Sequence, residues 1–163
     1  MKGLWIGYII FTSFVSYSNA QKPVEIPKDW KSISGCGVKL YVPADVAFVE
    51  DQSVDTCERF YKGKRTAIHI TATEWNVGQS DYSNWPGHRV AKLLVNEKKA
   101  EIVTSFIPIV SDPNRGLDFS AMLLVPDFFP DGRDLRIRAW SSSEKNRKEA
   151  LSILKSVILE LYK

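Results

Sequence analysis

Residues 135–161 read LRIRAWSSSEKNRKEALSILKSVILEL, and the spacing of their apolar residues changes part-way through. At the start, Leu135, Ile137 and Ala139 alternate with polar or aromatic neighbours, which predicts a half-buried β-strand. After residue 141 the apolar positions recur every three or four residues, as in a helix with one apolar face. These positions are Ala150, Ile153, Leu154, Val157, Ile158 and Leu161.

This C-terminal helix needs an apolar partner, and the segments upstream of it are the candidates. Ser141 and Glu144 have the spacing of a capping box, so we expect the helix to begin there. Segments with the character of strands are 32–42, 46–49, 56–61, 65–75, 88–95, 100–109 and 117–125. The turn-rich residues between them, including a hairpin signal at 96–99, favour antiparallel neighbours. The expected fold is α+β, an antiparallel sheet of about six to eight strands with the C-terminal helix packed on one face.

The N-terminal residues are typical of a secretory signal peptide. Lys2 precedes an apolar run over 4–15, and the small residues Ser18 and Ala20 stand at −3 and −1 of a cleavage site. The run is shorter than the roughly 20 residues of a membrane-spanning helix. We therefore expect a signal peptide at 1–20 and a single domain at 21–163, secreted or periplasmic, without stable membrane insertion after cleavage. An uncleaved anchor or another cleavage site are the alternatives.

The charge balance of the expected mature chain narrows the class of partner. Removing Lys2 leaves 22 − 1 = 21 basic residues against 19 acidic ones. A dedicated nucleic-acid binder depends on clustered phosphate contacts, so we expect no nucleic-acid partner. The chain has no phosphate-binding glycine loop, Gly-x-Ser-x-Gly or His-Glu-x-x-His motif, and we expect no cofactor.

Cys36 and Cys57 are the only cysteines in the chain. In an oxidising compartment their bonding to each other is the default, and closing a loop of about twenty residues contributes roughly 3 kcal/mol. A redox pair would normally have Cys-x-x-Cys spacing, and a metal site needs more ligands nearby. We therefore expect a structural disulfide and no metal site.

Large aromatic residues occur in the two longest irregular segments, 76–87 and 126–132. Aromatic side chains in polar loops either tuck beneath the loop or anchor a partner. We expect both loops at the same end of the sheet, with Trp85 and at least one phenylalanine partly exposed, while packing beneath the loops is the alternative. The candidate binding residues are Tyr82, Trp85, Phe128 and Phe129.

A basic, partly aromatic strand face is the second candidate surface. Arg136, Arg138 and Trp140 alternate along one strand, and such a surface can bind single-stranded nucleic acid or an acidic partner. The alternative is an ordinary solvated sheet face that Glu101 and Asp118 neutralise by cross-strand pairing. Residues that could extend the basic face are Lys39, Tyr41, Arg65 and His69.

Two further groups of residues have side chains suited to catalysis or metal binding. His69 and His88 invite a general acid–base role, but nothing in their spacing brings them together, and ordinary surface histidines are the alternative. Residues 127–134 hold three carboxylates and a glycine, which calcium favours, although the spacing differs from an EF-hand loop and fits a solvated turn. No catalytic residue is predicted.

Three segments carry a resemblance to a known fold. They are GVKLYVP at 37–43, VAKLLVNEKKAEI at 90–102 and EALSILKSV at 149–157. In this order the chain resembles the PsbP-like fold, which is shared by a photosystem II extrinsic subunit, a Ran-binding nuclear-import factor and many bacterial secreted proteins. The resemblance implies a binding or accessory protein without catalytic machinery, and it implies no particular partner.

The expected function is therefore that of a secreted, non-enzymatic binding or accessory protein, whose partner is an unidentified protein or small ligand. The alternative is a small secreted hydrolase with a dispersed active site. It would gain support if His69 or His88 lay in a cleft beside a carboxylate or a lysine. A third class, a structural domain of an envelope assembly, would expose a large apolar patch.

Overall fold

The computed structural model describes residues 25–49, 57–73, 84, 86–108, 117–141, 143 and 146–160. The predicted signal peptide at 1–20 lies outside these residues. The described chain is α+β, as predicted. Its elements are β1 (Trp30–Gly35), β2 (Val38–Pro43), β3 (Ala47–Val49), β4 (Glu58–Lys62), β5 (Thr66–Thr73), β6 (Arg89–Val95), β7 (Lys98–Pro108), β8 (Leu117–Val125), β9 (Asp134–Ser141), α1 (Arg147–Lys155) and β10 (Ile158–Leu159).

A seven-stranded sheet with the order β3-β4-β5-β9-β8-β7-β6 forms one layer of the fold. All of its neighbouring strands are antiparallel. The period of two predicted from sequence is present in the central strands, because alternate residues point to opposite faces. Fully buried residues on the core face include Ile68 and Ile70 of β5 and Ile137 of β9.

The predicted hairpin at 96–99 is confirmed, with a shorter turn. Only Asn96 and Glu97 separate β6 from β7, and their φ values are 46° and 68°. Positive φ at both central residues gives the twist that suits a two-residue hairpin. The side-chain Oδ1 of Asn96 also accepts the backbone N–H of Leu159 at 3.0 Å. The turn thus holds the last strand as well as its own hairpin.

A second sheet, with the order β1-β2-β10, corrects the prediction of a single sheet. The expected strand at 32–42 is two strands, because the chain reverses at Cys36 and Gly37, whose φ values are 53° and 71°. β1 then pairs with β2 from Trp30↔Pro43 to Gly35↔Val38. A cysteine rarely adopts positive φ, so alternation alone gave no sign of this turn.

The helix is shorter than predicted. It begins after Asn146, whereas Ser141 is the last residue of β9, so the predicted capping box is wrong. Ser156 ends the helix: its hydroxyl donates to the Ile153 carbonyl at 2.7 Å and accepts the Tyr41 N–H at 2.9 Å. The residues that follow leave the helix, and β10 pairs with β2 at Ile158↔Lys39. The helical spacing placed Ile158 on the apolar face, but in β10 Ile158 is exposed and Leu159 is buried.

Helix and small sheet together cover the apolar face of the large sheet. α1 packs mainly on β9 and β8, and also contacts β2. Residues from both layers form one hydrophobic core, in which Leu40 and Leu154 are fully buried. α1 is the only helix in the ranges given above, and no helix there is long and apolar enough to cross a membrane.

The predicted disulfide is confirmed. Cys36 and Cys57 are bonded, with their Cα atoms 5.5 Å apart and a sequence separation of 21. Cys36 lies in the β1–β2 turn and Cys57 directly precedes β4, so the bond joins the small sheet to the large one.

Removing this bond should lower stability. We expect the double variant Cys36→Ser/Cys57→Ser to lose about 2–4 kcal/mol of unfolding free energy, because its unfolded chain is less constrained. Chemical denaturation measures the loss. Reductant should destabilise the wild type by a similar amount and leave the double variant unchanged. Equal stability of the wild type and the double variant in the absence of reductant would contradict the prediction.

The Ser156 hydroxyl gives a second stability test. Ser156→Ala should cost about 1–3 kcal/mol, because it leaves the Tyr41 N–H without its acceptor between helix and strand. Ser152→Ala, one turn earlier in α1, is the matched control and should be close to neutral, since alanine favours helix. Similar denaturation midpoints for Ser156→Ala and Ser152→Ala would contradict the role given to this hydroxyl.

Candidate functional site

A groove of about 500 Å³ lies between the first part of α1 and the hairpin β6–β7. We call it the helix–hairpin groove. It lies on the helix side of the sheet, where α1 packs chiefly on β8 and β9. The residues that line it are Gly87, Arg89, Thr104, Phe106, Phe119, Arg147, Lys148 and Leu151.

Two phenylalanines form the apolar floor of the helix–hairpin groove. Phe106 and Phe119 are register partners on β7 and β8, and their rings meet edge to face with centroids 5.6 Å apart. Phe119 is buried, whereas Phe106 and Leu151 of α1 are only partly buried. The floor therefore has apolar surface available to a ligand.

Gly87 fixes the position of the Phe106 ring. Its φ is 68°, and a Cβ atom built there would lie 2.5 Å and 2.6 Å from Cδ2 and Cε2 of Phe106. The neighbouring Pro86 carbonyl accepts the Phe106 N–H at 2.8 Å. A residue with a side chain at position 87 would therefore displace the ring that forms the floor.

The rim of the helix–hairpin groove is positively charged. Arg89 of β6 and Arg147 and Lys148 of α1 are all exposed, and the described lining includes no acidic residue. Glu149 of the same helix is not part of this lining: its carboxylate accepts a hydrogen bond from the Thr66 hydroxyl and pairs with Arg65 at 3.2 Å. Cations beside apolar rings suit a ligand that combines an apolar body with a negative charge.

Phe128 and Phe129 correct the prediction of exposed loop aromatics. They are only 7% and 6% exposed, and their rings meet edge to face at 4.9 Å. Lys98 lies over the ring of Phe128 at 5.7 Å and Arg133 over that of Phe129 at 5.5 Å. Both rings belong to the hydrophobic core, and the two cations lie over them.

Most of the 76–87 loop lies outside the described residues, so its placement at the same end of the sheet as the 126–132 loop stays a prediction. Thr73, the last described residue of β5, pairs with Asp134 beside the 126–132 loop. Pro86 instead meets Phe106, whose partner Phe119 pairs with Ser141 at the opposite end of β9. Tyr82 and Trp85 lie outside the described residues.

Carboxylates in and beside the 126–132 loop accept hydrogen bonds from neighbouring residues of the same loop. Asp131 accepts the N–H and the Nε of Arg133 at 3.1 Å and 2.7 Å, and the backbone N–H of Arg133 is the main cause that lowers the Asp131 pKa. Asp134 accepts the Asp127 N–H at 3.0 Å. In the part of the chain that the structure covers, no three His, Cys, Asp or Glu residues are grouped as metal ligands.

The second candidate surface is present in part. Arg136, Arg138 and Trp140 of β9 and His69 of β5 lie on the sheet face opposite α1. We call this the open face, and it also includes Phe60 of β4. Lys39 and Tyr41 belong to the small sheet, and Arg65 pairs with Glu149, so these three residues do not extend it.

Phe60 was missed by the sequence analysis. Its ring lies 6.0 Å from Trp140 and 6.2 Å from His69, while the Arg138 guanidinium lies 5.9 Å from the Trp140 ring. The available signal was the place of Phe60 between Arg59 and Tyr61 in a predicted strand. Tyr61 faces the core, so Phe60 points to the opposite face.

His69 contacts a carboxylate, but on an open surface. Its Nε2 lies 2.5 Å from Glu58 Oε1, and the two side chains are 29% and 38% exposed. His88 precedes β6, whereas β9, β8 and β7 separate β5 from β6 in the sheet. The two histidines are therefore not brought together. Neither lines the helix–hairpin groove.

Comparison with known proteins does not assign a function. No family model matches the chain, and no curated protein matches it. The function is therefore argued from the helix–hairpin groove and the open face.

Two glycines with positive φ allow a test of the groove floor. Gly87→Ala should destabilise more than Gly132→Ala, because Gly132 has a φ of 82° and no atom within 4 Å of its built Cβ. The Gly132 variant should lose only about 1 kcal/mol of unfolding free energy, from the strained backbone. Denaturation compares the two variants, and NMR of the aromatic ring protons should show Phe106 shifting only in Gly87→Ala. Equal losses with unchanged ring signals would contradict this packing.

Proposed function

We propose that the protein is an exported, non-catalytic binding protein whose ligand occupies the helix–hairpin groove. The observation that carries the proposal is the combination of an apolar floor with a positive rim in a groove of about 500 Å³. Ligand sites of small molecules commonly occupy about 300–1,000 Å³ and combine apolar lining with a few polar groups. The ligand in this proposal is a small molecule.

Export is part of the proposal, with a signal peptide at 1–20 and the mature domain at 21–163. The Cys36–Cys57 bond supports it, because disulfides persist in oxidising compartments and are rare in the reducing cytosol. A mostly antiparallel sheet followed by a C-terminal helix supports the proposed resemblance to the PsbP-like fold.

A hydrolase is the second candidate, and the contact between His69 and Glu58 favours it. In that case Glu58 would orient the imidazole as a general base. The pair lies on the open face, away from the groove, and the described groove lining offers neither a histidine nor a carboxylate. A cleft with convergent groups is what catalysis requires, so binding is the better supported function.

Titration with Nile red, a neutral dye that fluoresces in apolar surroundings, tests the proposed site. The full chain with its disulfide intact should bind the dye saturably. Thr104→Trp should weaken binding at least tenfold, because Thr104 lines the groove and an indole would fill it. Thr71→Trp makes the same change on the opposite side of the sheet and should leave dye binding unchanged.

Denaturation of both variants checks that each is folded. Unchanged dye binding in a folded Thr104→Trp protein would overturn the proposed site. His69→Ala separates the two functions: it should leave dye binding intact, whereas a hydrolase that uses His69 would lose its activity against a panel of ester and glycoside substrates.

A further inference from the structure

We infer that the ligand of the helix–hairpin groove is a free anionic amphipath, a small molecule with one apolar chain or ring and one negatively charged group. The inference rests on the proposed function and adds the chemical class of the ligand. It depends on where the cations and the apolar side chains stand relative to each other.

Cations approach the groove from both of its walls. Arg89 belongs to β6 and Lys148 to α1, so one anionic group could contact both walls at once. Neither of these two side chains forms an ion pair with another described residue. Two cations outside the groove do have carboxylate partners: Arg65 pairs with Glu149, and Lys92 lies 4.0 Å from Glu101. The groove therefore gathers positive charge that an anion would balance.

A hydrogen-bonding group stands at the same place as the charge. Thr104 is the register partner of Arg89, so its partly buried hydroxyl lies on the neighbouring strand. A carboxylate, sulfate or phosphate accepts hydrogen bonds from hydroxyl and guanidinium donors together. Arg89 and Thr104 thus mark the position of the charged end of the ligand.

The apolar end of the ligand would lie over Phe106, Phe119 and Leu151. Leu151 stands four residues after Arg147 on α1, so both project on the same side of the helix and a ligand along it would meet a cation and then apolar surface. Each methylene buried there should raise affinity about fourfold. An apolar body without the charge would leave Arg89 and Lys148 without an anionic partner, and a small inorganic anion would leave the rings exposed.

The size of the groove favours a free molecule over a lipid in a bilayer. A volume of about 500 Å³ suits the burial of one small ligand. An anionic phospholipid carries the same chemistry in its headgroup, and the experiment includes it as a separate arm. We commit to the free molecule.

Displacement of Nile red by matched amphipaths tests the inference. Dodecanoate and dodecanol have the same chain length and differ in the charge of the head, and both are used below the concentrations at which they self-associate. Dodecanoate should displace the dye at a concentration at least tenfold lower than dodecanol. Added salt should reduce this preference, because the rim cations are exposed.

Charge-reversal variants locate the anionic end. Lys148→Glu should weaken dodecanoate at least tenfold and leave dodecanol unchanged. Lys62→Glu makes the same change on an exposed lysine of β4, outside the groove, and should change neither ligand. Isothermal titration with dodecanoate reports the same affinities without the dye.

Each failure has a different signature. Equal displacement by dodecanoate and dodecanol, or no displacement by either while the dye still occupies the groove, overturns the inference and leaves the proposed function standing. Binding to vesicles of anionic phospholipid without displacement by free dodecanoate overturns it in favour of the bilayer source. Absence of binding by dye titration and calorimetry alike overturns both proposals.

Discussion

The apolar face of the seven-stranded sheet is wider than the helix that covers it. Neighbouring strands lie about 4.8 Å apart, so seven of them span roughly 29 Å, whereas the nine residues of α1 make a rod about 14 Å long and 10 Å thick. The small sheet must therefore supply the remaining cover, and Leu40 in β2 is as fully buried as Leu154 in α1. The helix–hairpin groove lies between α1 and the edge hairpin, where this cover is incomplete.

Part of this architecture follows from local rules. The alternation of β5, β8 and β9, the hairpin at Asn96 and the Cys36–Cys57 bond were predicted correctly, because each depends on residues close in sequence or on a single possible pairing. The reversal at Cys36 was missed because a non-glycine residue adopts positive φ there. The strand β10 was missed because Val157, Ile158 and Leu161 continue the helical spacing, whereas the strand buries Leu159 and exposes Ile158.

The candidate site could not be predicted from the sequence, for a different reason. Arg89, Thr104 and Lys148 come from β6, β7 and α1, and only the register of the hairpin and the packing of the helix bring them together. Aromatic residues in loops were the predicted binding residues, but nothing in the sequence shows that Lys98 and Arg133 lie over Phe128 and Phe129. Gly87 was the available signal, a glycine two residues before an edge strand that starts with Arg89.

The strand order of the small sheet determines when during synthesis that sheet can be completed. β10 pairs with β2 across about 120 positions, so the sheet is completed only when the last strand has been synthesised. Until then β2 carries an open edge of unpaired backbone groups, which invites pairing with other chains. The cysteines lie only 21 positions apart, so their bond can form before β10 is made, and it links the β1–β2 turn to the start of β4. Contacts so distant in sequence close slowly, and an early covalent tether shortens the period in which a newly made chain is vulnerable to aggregation.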